Sequence, residues 1–381
     1  MKIKYFKYFW FIVTLGLFVF LMFSVRIKTK TDIRNRIYQQ WERHFVVKDG
    51  NEAYIKTTND KDKDIVLSES QSYGMLITVR AAQKGLASQQ DFERLYKYYL
   101  SHRIEGSQLM SWEQIVQKSS KNVDEHNATD GDLYIAYALI EASKQWPSQK
   151  DEYQTQSKAI LQDILKYNYN ENTGILTVGN WANRDSKYYN LMRTSDALPK
   201  QFQSFYEVTK DKKWLSISDK MLSSLETISS QTETGLIPDF IWVDQSGVRN
   251  VKPHTISSQF DSTYSYNACR LPYNLTQSND EKSQRVLSKL LDFFMTQKNI
   301  FSNYNLDGNF LDDHQAACFK APIALAADKD SGYLKLVQQN KIVFMQNLPV
   351  NNYYDSAIIT LVTMEFFLII IIVFCLNIRK L

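Results

Sequence analysis

The chain has 381 residues, of which 44% are hydrophobic, and its 45 Lys and Arg nearly balance 41 Asp and Glu. This composition excludes a disordered protein and supplies enough apolar material for one large domain. Only 12 Gly and 7 Pro occur, fewer than the frequent turns of an all-β sandwich or barrel would use, so long helices are expected. The 13% of aromatic residues is more than packing alone comfortably explains, and clefts that stack sugars are one place for them.

Charge is distributed unevenly along the chain. The first 36 residues hold eight Lys and Arg but one Asp, and Arg379 and Lys380 lie near the other end, whereas residues 37–355 carry a net charge of −4. Basic ends around an acidic body argue against nucleic acid as a partner and favour positive charge that flanks a membrane segment.

Residues 9–25 form an apolar, uncharged run long enough to cross the hydrocarbon layer as a helix. A cleaved signal peptide would have a shorter apolar core that ends in small residues, whereas this run ends in Met-Phe-Ser-Val. The sequence therefore predicts a cytoplasmic segment over 1–8, a transmembrane anchor over 9–25 and a basic juxtamembrane segment over 26–39. Three basic residues flank each side of the run, so charge does not decide the orientation. The orientation we expect places 1–8 in the cytoplasm and the body of the protein outside it, at the cell membrane.

Pairs of helices are predicted through the middle of the chain. Apolar residues at helical spacing recur in residues 65–102, 133–164, 202–225, 270–294 and from 321 to the segment after Tyr353. Polar, aromatic loops such as Thr173–Asn190 and Thr234–Phe260 separate them. Such repetition predicts an all-α toroid or solenoid in one domain, whose loops collect at one end and carry the site.

The C-terminal apolar run from Ala357 to Leu376 is broken by Glu365. As a second span it would place a carboxylate in lipid, at a cost of roughly 2.5–3.5 kcal/mol. In the other interpretation its first half is a buried helix of the domain. The three Cys and five His lack the spacing of metal ligands or of a disulfide framework, so neither a metal nor a cofactor is expected.

Two polar motifs open apolar helices. Leu67–Met75 reads Leu-Ser-Glu-Ser-Gln-Ser-Tyr-Gly-Met, and Ala128–Tyr137 reads Ala-Thr-Asp-Gly-Asp-Leu-Tyr-Ile-Ala-Tyr. Taken singly, each is explained as a helix start in which serine or aspartate caps the first turn.

Together, the two motifs resemble those of glycoside hydrolase family 8, in which they occur in this order and about 60 residues apart. The likeness covers roughly residues 40–366. It continues in four further segments, which are Leu109–Trp112, Thr234–Asp239, Tyr266–Pro272 and Tyr353–Ser356. The resemblance implies an (α/α)6 barrel over residues 40–366, which agrees with the predicted helix pairs. It also implies that Tyr353–Phe366 is the last barrel helix, and leaves 367–381 as an apolar tail that contacts the membrane or not.

The family cleaves β-linked polysaccharides with inversion, which requires a protonated carboxyl group as general acid and a second carboxylate that takes a proton from water. By resemblance, Glu69 is the general acid and Asp130 grips the sugar at the cleavage point. The same resemblance assigns substrate-binding roles to five further residues, which are Trp112, Asn267, Arg270, Tyr353 and Tyr354.

The chain departs from the family pattern at the position of the general base. Many members have Tyr-Asp-Ala-x-Arg, whereas this chain has Asn267 in place of the aspartate, and an asparagine cannot accept the proton. Two replacements are predicted. Asp196 comes first, at a position where many members have a tyrosine that helps hold the water. Asp261 comes second, in the loop that leads to the same helix as Asn267, and either aspartate could instead be a capping or exposed residue.

Two hypotheses of different classes follow. The first is a membrane-anchored, inverting β-glycanase that acts on β-glucan or on a self-made exopolysaccharide, in association with membrane lipid and with polysaccharide-synthesis machinery. The second is a degenerate member that binds glycan without cleaving it, which Asn267 favours. A glycosyltransferase built on Asp-Gly-Asp is a third interpretation, but no nucleotide-binding βαβ pattern supports it.

Overall fold

The computed structural model describes residues 2–116 and 124–365, in which twelve helices and seven short strands occur. The helices, in chain order, are α1 Lys2–Phe45, α2 Ser68–Ala82, α3 Gln89–Ser101, α4 Thr129–Gln145, α5 Lys150–Tyr167, α6 Pro199–Thr209, α7 Lys213–Ser230, α8 Leu271–Leu275, α9 Glu281–Thr296, α10 Ala317–Ala327, α11 Leu334–Asn340 and α12 Tyr353–Glu365. Each segment in which the spacing of apolar residues predicts a helix holds one.

The even-numbered helices form a closed inner ring. Each contacts the next from α2 to α12, and α12 contacts α2 again. One odd-numbered helix packs outside each inner helix, as α3 does on α2 and α5 on α4, and α1 completes the sixth pair by packing on α12. This mostly helical architecture is consistent with the expected (α/α)6 barrel.

Burial differs between the two rings as a double layer of helices requires. The inner helices α4 and α12 are buried on almost every face, so their apolar residues form no single stripe. The outer helix α9 has one apolar stripe at the i, i+3, i+4 spacing. Its buried apolar members are Val286, Leu287, Leu290, Leu291 and Phe294.

The structure also contains short strands, so the predicted all-α class is corrected to a mostly helical one. They are β1 Val46–Asp49, β2 Glu52–Ile55, β3 Asp64–Leu67, β4 Glu113–Val116, β5 Leu191–Arg193, β6 Phe240–Asp244 and β7 Gly247–Asn250. All pair antiparallel, as β1–β2, β3–β4 and β5–β6–β7. The predicted loop Thr234–Phe260 therefore contains a hairpin. Because β3 leads directly into α2 and β5 directly precedes Asp196, the small sheets fix the loops at one end of the barrel.

Helix α1 has two different parts. From Ile37 to Phe45 it packs into the core, with Trp41 fully buried, so the predicted juxtamembrane segment 26–39 ends within the barrel wall. The predicted anchor over 9–25 lies in the other part, where large apolar side chains such as Phe11 and Phe20 are exposed. Across the described residues, no helix proved long and apolar enough to cross a membrane.

The first half of the C-terminal apolar run forms α12, and its residues from Ala357 to Met364 are all buried. They therefore belong to the barrel, as the second interpretation of this run requires. The tail predicted over 367–381 lies outside the described residues.

Candidate active site

Three of the four predicted catalytic residues, Glu69, Asp130 and Asp196, meet where inner helices begin. Glu69 and Asp130 each occupy the second position of their helix, in α2 and α4. Asp196 lies in a short 3₁₀ turn just before α6, Arg270 in another just before α8, and Tyr353 opens α12. This end of the barrel, from which the loops enter the inner helices, is called the site end below.

A close approach of α2 and α4 explains the glycine of the Asp-Gly-Asp motif. A Cβ atom on Gly131 would lie 2.3 Å from Ser68 Oγ and 2.8 Å from the Ser68 carbonyl carbon. Any larger residue would force the two helix starts apart. Gly131 thus brings Asp130 next to the segment that carries Glu69.

Arg270 joins the two carboxylates. Its Nη1 donates to Glu69 Oε2 at 2.9 Å, to Asp130 Oδ2 at 3.2 Å and to the Tyr73 hydroxyl oxygen at 2.8 Å. Two oxygens bound to one nitrogen at these distances lie less than 6.5 Å apart, below the roughly 6.5–9.5 Å that separates acid and base in inverting enzymes. Asp130 is therefore too near Glu69 to serve as its inverting base, in keeping with a sugar-gripping role.

Arg193 adds a second cation on the far side of Asp130. Its Nη1 lies 2.5 Å from Asp130 Oδ1 and 3.8 Å from Asp196 Oδ1. Burial alone would raise the pKa of Asp130, but Arg193 and Arg270 together lower it below its usual value. Asp130 is thus an ionised carboxylate held between two guanidinium groups.

The pKa values of Glu69 and Asp196 are raised, in contrast to that of Asp130. Burial is the main cause that raises the pKa of Glu69 to about 7, against the attraction of Arg270. It likewise raises the pKa of Asp196 to about 7, against that of Arg193. Glu69 keeps 18% of its side chain exposed, so this carboxyl group is accessible and partly protonated near neutrality.

The carboxylate of Asp196 is buried and forms no hydrogen bond with the described residues. It is 1% exposed, and neither carboxylate oxygen has a hydrogen-bond partner among the described residues. Its charged partner is Arg193, 3.8 Å away, and a buried carboxylate that forms no hydrogen bond is costly. A site that retains such a group has a use for it, such as binding a water molecule. The structure thus brings the first predicted base into the group formed by Glu69, Asp130, Arg193 and Arg270.

Asp261 is engaged differently. Its two oxygens accept hydrogen bonds from the backbone N–H groups of Ile256, Ser257 and Ser258 at 2.7–3.3 Å. These bonds close the loop that follows β7. The second predicted base therefore shapes a loop, and its prediction as a base gains no geometric support.

Asn267 bridges two charged groups. Its Nδ2 donates to Asp239 Oδ2 at 3.1 Å, while its Oδ1 accepts from Arg270 Nη2 at 2.9 Å. Asp239 also accepts the backbone N–H groups of Ser265, Asn267 and Ala268. An aspartate at 267 would lack the donor and face Asp239, so the amide suits this position as a neutral link.

The predicted sugar-binding aromatic residues have different environments. Trp112 is 38% exposed, its indole N–H donates to Asp124 at 2.8 Å, and its carbonyl accepts from Ser68, the residue before Glu69. Tyr353 packs against Trp41 and has a buried hydroxyl without a hydrogen-bond partner among the described residues. The Tyr354 hydroxyl instead donates to the carbonyl of Tyr266. Trp112 is thus available for stacking, whereas Tyr354 mainly fixes its neighbour.

Four polar residues of this site were not predicted from the sequence. They are Tyr73, Arg193, Ser195 and Asp239, of which Ser195 accepts a hydrogen bond from Arg270 Nη2 at 2.7 Å. Tyr73 and Asp239 lie within segments that the family resemblance uses. Nothing in the sequence indicates that Tyr73 and Ser195 contact Arg270, which is 197 and 75 positions away from them.

Comparison with known proteins agrees with this geometry. The model of the family "Glycosyl hydrolases family 8" matches residues 7–366. The chain is similar to a β-glucanase of Niallia circulans, with 28% identity over 84% of this chain and 80% of that protein. An endoglucanase of a Bacillus species is 29% identical over 77% of this chain and 67% of its own length. The fold resembles an apo β-1,3-1,4-glucanase of a Paenibacillus species, with a TM-score of 0.79 and 25% identity over 88% of this chain and 91% of that one.

Proposed function

The chain belongs to glycosyl hydrolase family 8 and is a glycoside hydrolase, and from this premise we propose that it cleaves β-linked glucan with inversion, using Glu69 as general acid. One observation carries the proposal: Glu69, accessible and with its pKa raised to about 7, shares Arg270 with an ionised Asp130. The substrate class is supported by relatives whose names are β-glucanase and endoglucanase.

Glu69 supplies the proton. As the bond between the anomeric carbon and the glycosidic oxygen breaks, its carboxyl proton passes to the departing oxygen, leaving a carboxylate beside Arg270 Nη1 at 2.9 Å. That guanidinium then stabilises the new negative charge. A raised pKa keeps the proton on Glu69 until it is needed.

Asp196 takes the proton of the attacking water. Its carboxylate accepts no hydrogen bond from the described residues, whereas Asn267 already serves as a neutral link between Asp239 and Arg270. Water adds to the anomeric carbon from the face opposite the leaving oxygen, and its proton passes to Asp196. The pKa of about 7 leaves this carboxylate ionised in a useful fraction of molecules near neutral pH.

Asp130 and Trp112 hold the sugar. Asp130, ionised between Arg193 and Arg270, accepts hydrogen bonds from hydroxyl groups of the sugar ring at the cleavage point. Trp112, exposed and tied through its backbone to Ser68, offers a flat apolar face to a neighbouring sugar. Tyr353 brings its hydroxyl to the same site.

We also propose that the enzyme acts at a membrane, outside the cytoplasm, on β-glucan or on an exopolysaccharide that the cell itself makes, in association with the synthesis machinery. The exposed apolar side chains of α1 support lipid contact: Phe9, Phe11, Phe18 and Phe20 are each more than half exposed. Water is a poor environment for such a patch, and lipid would cover it.

The test is hydrolysis by the full-length protein. Mixed-linkage β-glucan, carboxymethylcellulose, xylan and a bacterial exopolysaccharide would each be incubated with wild type and with Glu69→Gln, and new reducing ends counted. Release from β-glucan by wild type, lost in Glu69→Gln, is the expected result. Binding of these polymers without any release would overturn the proposal in favour of the glycan-binding alternative that Asn267 suggests.

A further inference from the structure

The end of the barrel opposite the site end contains a second ionic cavity. It has a volume of about 270 Å³, and four cations line it, namely Arg80, Lys84, Lys329 and, from the first turn of α6, Lys200, with Glu365 as the one carboxylate in its lining. Arg80 and Glu365 lie near the C-terminal ends of α2 and α12, whose first turns carry Glu69 and Tyr353. This cavity is called the basic cavity below.

The carboxylates near the basic cavity are already engaged. Arg80 lies 3.5 Å from Glu365 and 3.1 Å from Glu141, Glu365 also accepts the Tyr273 hydroxyl at 2.9 Å, and Glu141 binds Lys144 at 2.7 Å. The positive charge of Arg80 is therefore matched by these carboxylates, whereas the charge of the lysines is in excess.

The three lysines have no such partner. In the described part of the chain no carboxylate lies within ion-pair distance of Lys84, Lys200 or Lys329; Lys200 donates to Gln277 at 3.1 Å and Lys329 to the carbonyl of Thr276. Burial lowers the pKa of all three. A polar cavity in which four cations outnumber one carboxylate is suited to an anion.

Helix α1 leaves the barrel at this same end. Near Phe45 and Trp41 it packs on Tyr353, at the start of α12, whereas Arg34 donates to the carbonyl of Thr363, near the end of α12. The two helices are therefore antiparallel. From there α1 extends away from the end that carries the basic cavity, and its exposed, mostly apolar stretch, residues 8–21, is about 20 Å long.

We propose that the basic cavity binds the phosphate of an anionic lipid headgroup and so seats this end of the barrel on a membrane. The proposal rests on the lipid contact of α1 proposed above. A phosphate group matches ammonium groups of lysine, and basic pockets beside apolar segments favour anionic headgroups. Glu69, about 16 Å along α2 from Arg80, would then face away from the membrane, toward polymer.

The experiment measures partition of the full-length protein between buffer and vesicles. Phosphatidylcholine vesicles are compared with vesicles that also contain phosphatidylglycerol, for wild type, for the double variant Lys84→Gln/Lys329→Gln and for a control. The control, Lys61→Gln/Lys187→Gln, removes the same charge from exposed lysines in loops at the site end. Hydrolysis of β-glucan checks that each variant is folded.

Wild type and control are expected to prefer the anionic vesicles. In the cavity variant the ratio of partition into anionic over neutral vesicles should fall roughly 10- to 30-fold, because each lysine contributes about fivefold. An unchanged preference in the cavity variant would overturn the basic cavity as a headgroup site. Failure of wild type to bind either vesicle would instead overturn the lipid contact of α1. Inorganic phosphate distinguishes a lipid headgroup from free phosphate. If phosphate raises the melting temperature of wild type but not of the cavity variant, while both partition equally to vesicles, the cavity binds soluble phosphate and the docking proposal fails.

Discussion

The two ends of the barrel contain ionic clusters of opposite character on the same helices. At the site end, Glu69 and Asp130 begin α2 and α4, and at the other end Arg80 and Glu141 lie in the same two helices. Burial raises carboxyl pKa values in the first cluster, as it does for Glu69. It lowers lysine pKa values in the second, as it does for Lys200.

The comparison shows that the burial of a charged side chain indicates a function only when its hydrogen-bond and ion-pair partners are also considered. Arg80 is matched by two carboxylates within 3.5 Å, so that part of the second cluster stabilises the barrel. Asp196 is buried without a hydrogen-bond partner among the described residues, an arrangement that costs stability and suits proton transfer.

The largest expected effect is that of Glu69→Gln at the site end. Glutamine keeps the shape but has no proton to donate, so kcat on β-glucan should fall by about 10²–10⁴-fold. Glu113→Gln, on the neighbouring strand β4, is the matched control and should keep nearly full activity. If Glu69→Gln retained a tenth of the wild-type kcat, Glu69 would not be the acid.

The second effect separates the two predicted bases. Asp196→Asn should lower kcat by about 10²-fold or more without unfolding the protein. The carboxylate forms no hydrogen bond that the change would break, and Arg193, 3.8 Å away, keeps Asp130 as its closer partner. Asp261→Asn should instead lower the melting temperature, since it disturbs three backbone contacts, and should keep kcat. The reverse pattern would move the base to Asp261.

The third effect concerns the opposite end. Arg80→Met leaves Glu141 and Glu365 without their shared cation, and should lower the free energy of unfolding by about 3 kcal/mol while kcat of the folded enzyme is unchanged. Arg285→Met, which breaks exposed ion pairs with Glu226 and Glu281, should lower the free energy of unfolding far less, because solvent screens these pairs. Urea unfolding measures both, and equal losses would contradict the distinction.

The smallest effect is the pH profile of the site end. Glu69 must be protonated and its pKa is raised to about 7, so kcat/KM should fall up to about tenfold per pH unit above 7. Asp196 must be ionised, and its pKa of about 7 should produce a fall on the acidic side. The residual activity of Asp196→Asn should lack that acidic limb, and a limb that persists would assign it to another group.

The sequence predicts the helices well, and the position of Glu69 and Asp130 at helix starts, because both depend on local patterns. Apolar spacing locates α2 through α10, and two motifs locate Glu69 and Asp130. Contacts between distant residues are not visible in such patterns. Arg270 binds Glu69 across 201 positions, and Arg34 binds Thr363 across 329, so neither the arginine bridge nor α1 as the sixth outer helix was predicted. Strands of three to five residues are too short for a clear period of two.

The central claim is that Glu69 and Asp196 act on opposite faces of one β-linked sugar. Proton NMR of the first products released from mixed-linkage β-glucan tests it most directly, because the anomeric configuration records the face from which water attacks. The account predicts that the α-anomer appears first and then equilibrates with the β-anomer. A β-anomer formed first would contradict it, since retention requires a covalent intermediate on a carboxylate beside the acid rather than a water-activating base.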